Sequence, residues 1–438
     1  MTPEEFLQEE FRNVKLALLE TLRYDYGPDL THGYYEECAA RLDRIEREVP
    51  RTKHSEVWVR LYELSRLAEW ISLIERSRLG EFSWPFAEQI REIAKPLLVE
   101  KSLSGVDIEP IIHVIAEGDG YQIVYESISP SVKCRFAIVA FPRPLKHHVL
   151  LHTIFGHELG HTAQSTTAAG ALLRLNVRDA LSASGALSSV SKLTSWIHHA
   201  NAPPGVKNDL ASWLQDEGSN YTFQEYHRQS WLDELICDLF GLLLFGPAFA
   251  AAHKTLLLPT HPTPYHIPLY DPTHPPYAIR HKLLVRAMRF MKWDKPIVPK
   301  TRKNLCNAEM ETLKHITHDP YPPWTSFFDD NQLEEAILGI RNVLSTHGGF
   351  EYERPDAEVV EGLVGQLTRR IPPIIAQIDE NGLPKLKRTA MPHVLYAGWI
   401  YWLGRAHLKV TEPLSFFNVN RLCDHALLQE CGIHIVTA

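Results

Sequence analysis

Little in this sequence marks a secreted, membrane-bound or nucleic-acid-binding chain. Cysteine is scarce: there are six in 438 residues (Cys38, Cys134, Cys237, Cys306, Cys423 and Cys431), with no CxxC pair. That spacing excludes a disulfide framework and points to a reducing compartment. Basic charge is in deficit, with 45 Lys and Arg against 53 Asp and Glu for a net −8. The deficit removes the electrostatic basis for general binding to nucleic acid or anionic lipid. The amino terminus, MTPEEFLQEEF, carries acids where a signal peptide has basic residues and an apolar core, so the expected location is cytoplasmic. One stretch, residues 235–252, approaches the apolar length of a membrane span, but it contains Asp238 and a Gly246-Pro247 break. A carboxylate in mid-segment is costly in lipid. The stretch is therefore expected to be a helix buried in protein, with no membrane insertion.

What is present reads as a large globular chain, 45% hydrophobic and 22% charged, with enough apolar residues for more than one core. Up to about residue 105 the apolar residues recur every three or four positions, as in FRNVKLALLETL and YYEECAARLDRIEREV, which predicts a helical amino-terminal region. IIHVIAEGDGYQIVYESI then sets two β-rich runs around Gly118-Asp119-Gly120, a hairpin signal, and CRFAIVAF supplies a third strand. After Pro142 and Pro144 one helix is expected to run through LKHHVLLHTIFGHELGHTAQ, and more helices through an Ala-, Leu- and Ser-rich span. A further helix is expected over about residues 229–252. Seven prolines and three histidines in residues 259–276 mark a long loop. Helical pattern resumes at 277–293, residues 295–303 read as a linker around Pro296 and Pro299, and the rest is helical. The expected fold class is α+β, mostly helical, with boundaries at 1–105, 106–294 and 305–438.

The chemistry is carried by His157-Glu158-Leu159-Gly160-His161, an HExxH string on an expected helix. Residues four apart share a helix face with Cβ atoms about 5–6 Å apart, so two imidazoles can reach one ion at about 2.0–2.1 Å each. Glu158 is rotated about 100° from His157 and projects beside such an ion, where a general base is needed. Chance would produce the string in roughly one in ten to fifteen chains of this composition, so context has to support it. The small Gly160 between the ligands allows another backbone to pack closely.

A catalytic zinc takes three protein ligands and keeps a fourth position for water. WLDELICDLFG offers Glu234 as the third ligand. Asp238, one turn on, is placed to accept the spare ring N–H of a ligand histidine, His157 in the first instance. The alternatives are an exposed Glu234, an Asp238 that is a buried partner for an arginine, and the neighbouring Asp233 as ligand. His148 and His152 lie nine residues before His157 and His161, about 180° round a continuous helix, and are expected to face away. His253, His261, His266 and His281 are expected at the surface or in loops, and Cys237 as packed core on another face.

These motifs resemble the gluzincin metallopeptidases, within them the group typified by the membrane prenyl-protein peptidase and its bacterial heat-shock relative. The resemblance rests on HELGH at 157–161, the ExxxD pair Glu234 and Asp238, and THPPYAIR at 273–280. It covers about residues 110–293, and the chain departs from the group in lacking transmembrane helices. It implies a zincin-like core, Zn²⁺ as cofactor, His274 as a transition-state stabiliser and Arg280 as a positioning residue. The expected activity is hydrolysis of peptide bonds by a metal-activated water with Glu158 as general base. The expected substrate is a protein or peptide, cleaved selectively inside the cell, with a regulatory partner able to dock on the helical flanks. Two rival readings stay open: a catalytically silent metallopeptidase-like binding protein, and a zinc hydrolase of a non-peptide amide or ester.

Overall fold

The computed structural model describes residues 2–23, 32–78, 81–101, 107–108, 110–118, 120–126, 135–166, 168–199, 224–256, 273–318, 329–378, 384–387 and 391–437. The described chain is mostly helical with a small three-stranded sheet. It divides into two compact units, Met1–Arg91 with Val106–Lys146, and Glu92–Gly105 with His147–Ala438.

In the first unit, α1 (Pro3–Thr21) opens on a capping box. Thr2 Oγ1 accepts from the Glu5 N–H at 3.2 Å, and the Glu5 carboxylate accepts from the Thr2 N–H at 2.7 Å, satisfying donors that a helix start leaves free. Leu7, Phe11, Val14 and Leu18 recur at three- and four-residue intervals, and this buried stripe faces α2 (His32–Glu48) and α3 (Val57–Ile74). The strands β1 (Pro110–Ala116), β2 (Gln122–Glu126) and β3 (Arg135–Phe141) form one sheet in the order β1-β3-β2. β3 runs parallel to β1 and antiparallel to β2. The hairpin expected around residues 118–120 is therefore not formed, because β1 and β2 each pair with β3 and not with each other. Burial fits the places of β3 and β2. Residues 136–141 are all buried, suiting a central strand with both faces covered, whereas β2 exposes Gln122 and Val124 and takes an edge. Phe136 packs its ring against Tyr34 and Trp70, with centroids 4.6 and 5.1 Å away, tying β3 to α2 and α3.

After α4 (Trp84–Leu98), the second unit holds α5 (Phe155–Ser165), α6 (Ala168–Leu172), a π-helical turn Leu173–Arg178, α7 (Asp179–Ser182) and α8 (Val190–His199). These are followed by α9 (Glu225–Phe245), α10 (Pro247–Leu256), α11 (Tyr277–Phe290), α12 (Lys303–Thr317), α13 (Asp330–Thr346), α14 (Ala357–Thr368), α15 (Met391–Gly404) and α16 (Phe416–Thr437). The long helix expected through HELGH is shorter than its pattern: α5 starts at Phe155, after turns and the short 3₁₀ segment His152–Ile154. Asn420 Oδ1 on α16 accepts the Leu150 N–H at 2.9 Å, taking a donor that a longer helix would use itself. The helix expected over 229–252 is two helices, because Gly246 adopts φ +59°, a left-handed conformation that ends α9.

α9 and α10 are buried almost all round from Trp231 to His253, as a helix without a polar face must be. No helix among the described residues is long and apolar enough to cross a membrane. Residues 295–303 are not a free linker. The Ile297 and Val298 N–H groups donate to the buried Glu309 carboxylate on α12 at 2.9 and 2.8 Å, and Val298 is itself buried. Most of the proline-rich loop, residues 257–272, lies outside the described residues.

Candidate metal centre

α5 and α9 lie in close contact, and two glycines permit it. A Cβ on Gly156 would come within 2.8 Å of Gly241 Cα, and one on Gly160 within 2.8 Å of Cys237 Cα, closer than real side chains approach. This packing brings HELGH against the Glu234 turn. His157 Nε2 and His161 Nε2 are 3.0 Å apart. His161 Nε2 is 3.0 Å from Glu234 Oε1, and His157 Nε2 is 3.3 Å from Glu234 Oε2. Donors bound to one tetrahedral ion at about 2.0–2.1 Å stand about 3.3–3.4 Å from one another, so the three side chains fit a shared ion with slight expansion.

Behind them, His157 Nδ1–H donates to Asp238 Oδ1 at 2.9 Å, which turns Nε2 towards Glu234 and His161. Asp238 also accepts from Arg280 Nε and Nη2, both at 2.7 Å, and Arg280 Nη1 is 3.1 Å from Glu234 Oε2. Asp238 thus makes both contacts weighed from sequence at once, one to a histidine and one to an arginine. His274 Nε2 approaches Glu234 Oε1 at 3.3 Å, and its Nδ1 is 3.3 Å from Thr273 Oγ1. It precedes Pro275 and Pro276 at the start of α11, the helix that carries Arg280. The His157, Glu234 and Arg280 side chains are 7, 6 and 3% exposed, while those of His161 and His274 are 37 and 39% exposed. The cluster thus opens to solvent on the His161–His274 side.

The electrostatics favour a cation. Burial opposes charge on Glu234 and Asp238, yet His157 and Arg280 hold Glu234 well below the usual carboxylate range, and Arg280 and His157 do the same for Asp238. Two ionised, buried carboxylates face one buried guanidinium, leaving a net negative charge beside two imidazoles. Burial would depress His157, but the Glu234 charge and hydrogen bonds to Asp238 and Glu234 outweigh burial and Arg280 and lift it to about 9. In the metal-free protein a proton thus occupies the place where a cation is called for. Glu234 Oε2 is buried, and although Arg280 Nη1 and His157 Nε2 approach it at 3.1 and 3.3 Å, neither makes a hydrogen bond of good geometry, which leaves lone pairs that an ion can take. Glu158 is raised by burial and by the Glu234 charge, against the lowering pull of His157, His161 and Arg280.

Three neighbours were misjudged from the sequence. Cys237, expected as core on another face, is buried, but its Sγ lies within 4.8 Å of a ring nitrogen of both His157 and His161. His253 and His281, expected at the surface, are both buried, and their rings stack with centroids 5.7 Å apart; His261 and His266 lie outside the described residues. Cys237 is a weaker candidate ligand than Glu234, since burial and four nearby carboxylates push its thiol well up, away from the thiolate that binds metal. Its Sγ also accepts from Gln164 Nε2 at 3.0 Å. Asp233, the rival acid, is turned away and ion-paired with Arg178 from the π-helical turn. His148 packs near the Phe416 and Phe417 rings and His152 is fully buried. Their expected opposition to HELGH rested on a continuous helix that is absent. Comparison with known proteins adds nothing to this geometry: no family description, curated protein or solved structure matches the chain.

Proposed function

We propose that the chain is a zinc-dependent hydrolase of peptide bonds, with a zincin-like core in which His157, His161 and Glu234 hold the ion. One observation carries this reading: an HExxH pair and a carboxylate from a distant helix converge within 3.0–3.3 Å of one another. A zinc ion held there supplies a polarised carbonyl and a water of lowered pKa. The protein's residues do the rest. Glu158, on the turn between the two histidines, takes the proton of the attacking water and returns it to the departing amide nitrogen. Burial holds its carboxyl above the ordinary range, which makes it a stronger base towards the water's proton. His274, on the solvent-open side, donates towards the oxyanion of the tetrahedral intermediate. Arg280 holds Glu234 and Asp238 in place rather than touching substrate. In the chain's cytoplasmic setting, the substrate class is protein or peptide, and the helical flanks are where a regulatory partner would dock.

A second reading is favoured by Cys237. If its Sγ joins the two histidines and Glu234, four protein donors close the coordination shell, and the site becomes a structural or regulatory metal site without turnover. Digestion of a peptide library with and without a chelator, alongside Glu158→Gln, separates the two. Cleavage that needs both metal and Glu158 supports the peptidase. Bound zinc without cleavage of peptides, or of model amides and esters, supports the closed site.

A further inference from the structure

His253, on α10, is fully buried, and neither of its ring nitrogens has a hydrogen-bond partner. Leaving two buried polar atoms unpaired is unfavourable, and a phenylalanine would fill the same aromatic slot without that penalty. The ring lies between His281, stacked at 16° and 5.7 Å, and Tyr277 and Phe249, whose centroids are 6.3 and 6.1 Å away. Its Nε2 is 4.0 Å from Asp238 Oδ1, about 1 Å beyond hydrogen-bond length, and that oxygen also accepts from Arg280 Nη2 at 2.7 Å. Asp238 Oδ1 is the atom that accepts the His157 N–H. His281 is anchored in turn, its Nε2–H donating to the Ile316 carbonyl on α12 at 2.8 Å.

We infer that His253 is a positioning residue for the metal centre: its Nε2–H lies against Asp238 at 4.0 Å as an electrostatic contact rather than a formed hydrogen bond, and the His157–Asp238–His253 line, braced by His281, holds the His157 ring from the C-terminal helices. The inference rests on the proposal that His157, His161 and Glu234 hold a divalent cation. Burial, with Arg280, His281 and His157 close by, outweighs the pull of Asp238 and keeps the imidazole neutral, so it has one N–H to give. The carboxylate facing Nε2 selects the tautomer that carries the proton there. The His157 ring can adjust only as far as Asp238 allows, and His253 approaches the same Asp238 oxygen that accepts from His157 and from Arg280 Nη2. The chain from His157 to Ile316 also gives α12, outside the motif-bearing segments, a direct role in the site.

The test is the affinity of the full chain for Zn²⁺, measured by competition with a chromophoric chelator, and the visible spectrum of the Co²⁺-substituted protein. His253→Phe is expected to weaken Zn²⁺ binding about tenfold or more, the low end for loss of an outer partner, and to shift the Co²⁺ bands. His253→Gln, which keeps a donor, is expected to recover most of both. Thermal melts of the metal-free variants check folding, and His253→Leu replaces His253→Phe if the latter does not fold. Unchanged affinity in both apolar variants overturns the inference, as does a His253→Gln as defective as His253→Phe, which would make the residue a packing element. Wild-type protein that binds no Zn²⁺ overturns the metal-site reading itself, a different result from wild-type binding that His253→Phe leaves intact.

Discussion

Replacing Arg280 by methionine tests the charge balance of the site. The guanidinium makes three contacts with two carboxylates, at 2.7, 2.7 and 3.1 Å, and every partner is buried. Surface ion-pair values therefore do not apply, and breaking a buried pair on one side costs about 3–5 kcal/mol. For a unit of about 300 residues that corresponds to roughly 5–8 °C in midpoint. In the metal-free protein, Arg280→Met leaves Glu234 and Asp238 facing each other with only the His157 proton between them. Saturating Zn²⁺ places two positive charges against Glu234, so the same substitution should then cost less than half as much. Denaturant and thermal melts of both proteins, in chelator and in Zn²⁺, measure the four values. A loss below about 1 kcal/mol in chelator, or an equal loss in both conditions, would refute the reasoning.

Glu158→Gln should retain bound zinc, because Glu158 is not a ligand, while lowering turnover about 10²–10⁴-fold; metal loss or full activity contradicts the role. Gly160→Ala should destabilise the protein by about 1–3 kcal/mol in melts, since the added Cβ meets the Cys237 backbone at 2.8 Å and backbone cannot move aside cheaply. The metal-free protein should lose stability as pH rises. His157 has a folded pKa of about 9, above an unfolded value near 6.5, so its contribution is complete below about 6.5 and lost as pH passes through 9. The slope is up to about 1.4 kcal/mol per unit; denaturant midpoints measured in chelator across that range should fall, and a flat profile contradicts the charged imidazole.

The parts legible in the sequence are those set by local spacing. HELGH and the Glu234-Asp238 pair each need only one turn of helix, and the amphipathic stripe of α1 is readable from Leu7, Phe11, Val14 and Leu18. The illegible parts depend on partners far along the chain. Which strand lies centrally follows from long-range pairing, β3 with both β1 and β2, and not from the glycine turn that suggested a hairpin. The stretch leading into α5 is held by Asn420, 270 residues beyond Leu150. His253 and Cys237 were discounted because a histidine's burial, and a cysteine's distance from an imidazole, follow from how α5, α9, α10 and α11 meet. The one available signal was the all-apolar run around them, which marks a fully buried helix and hence a buried polar residue on it.

The most direct test is elemental analysis of the purified full chain beside Glu234→Ala. One tightly held zinc per wild-type chain, lost from the variant, is the result this account predicts. Zinc absent from the wild type, or retained at one per chain without the Glu234 carboxylate, would contradict it.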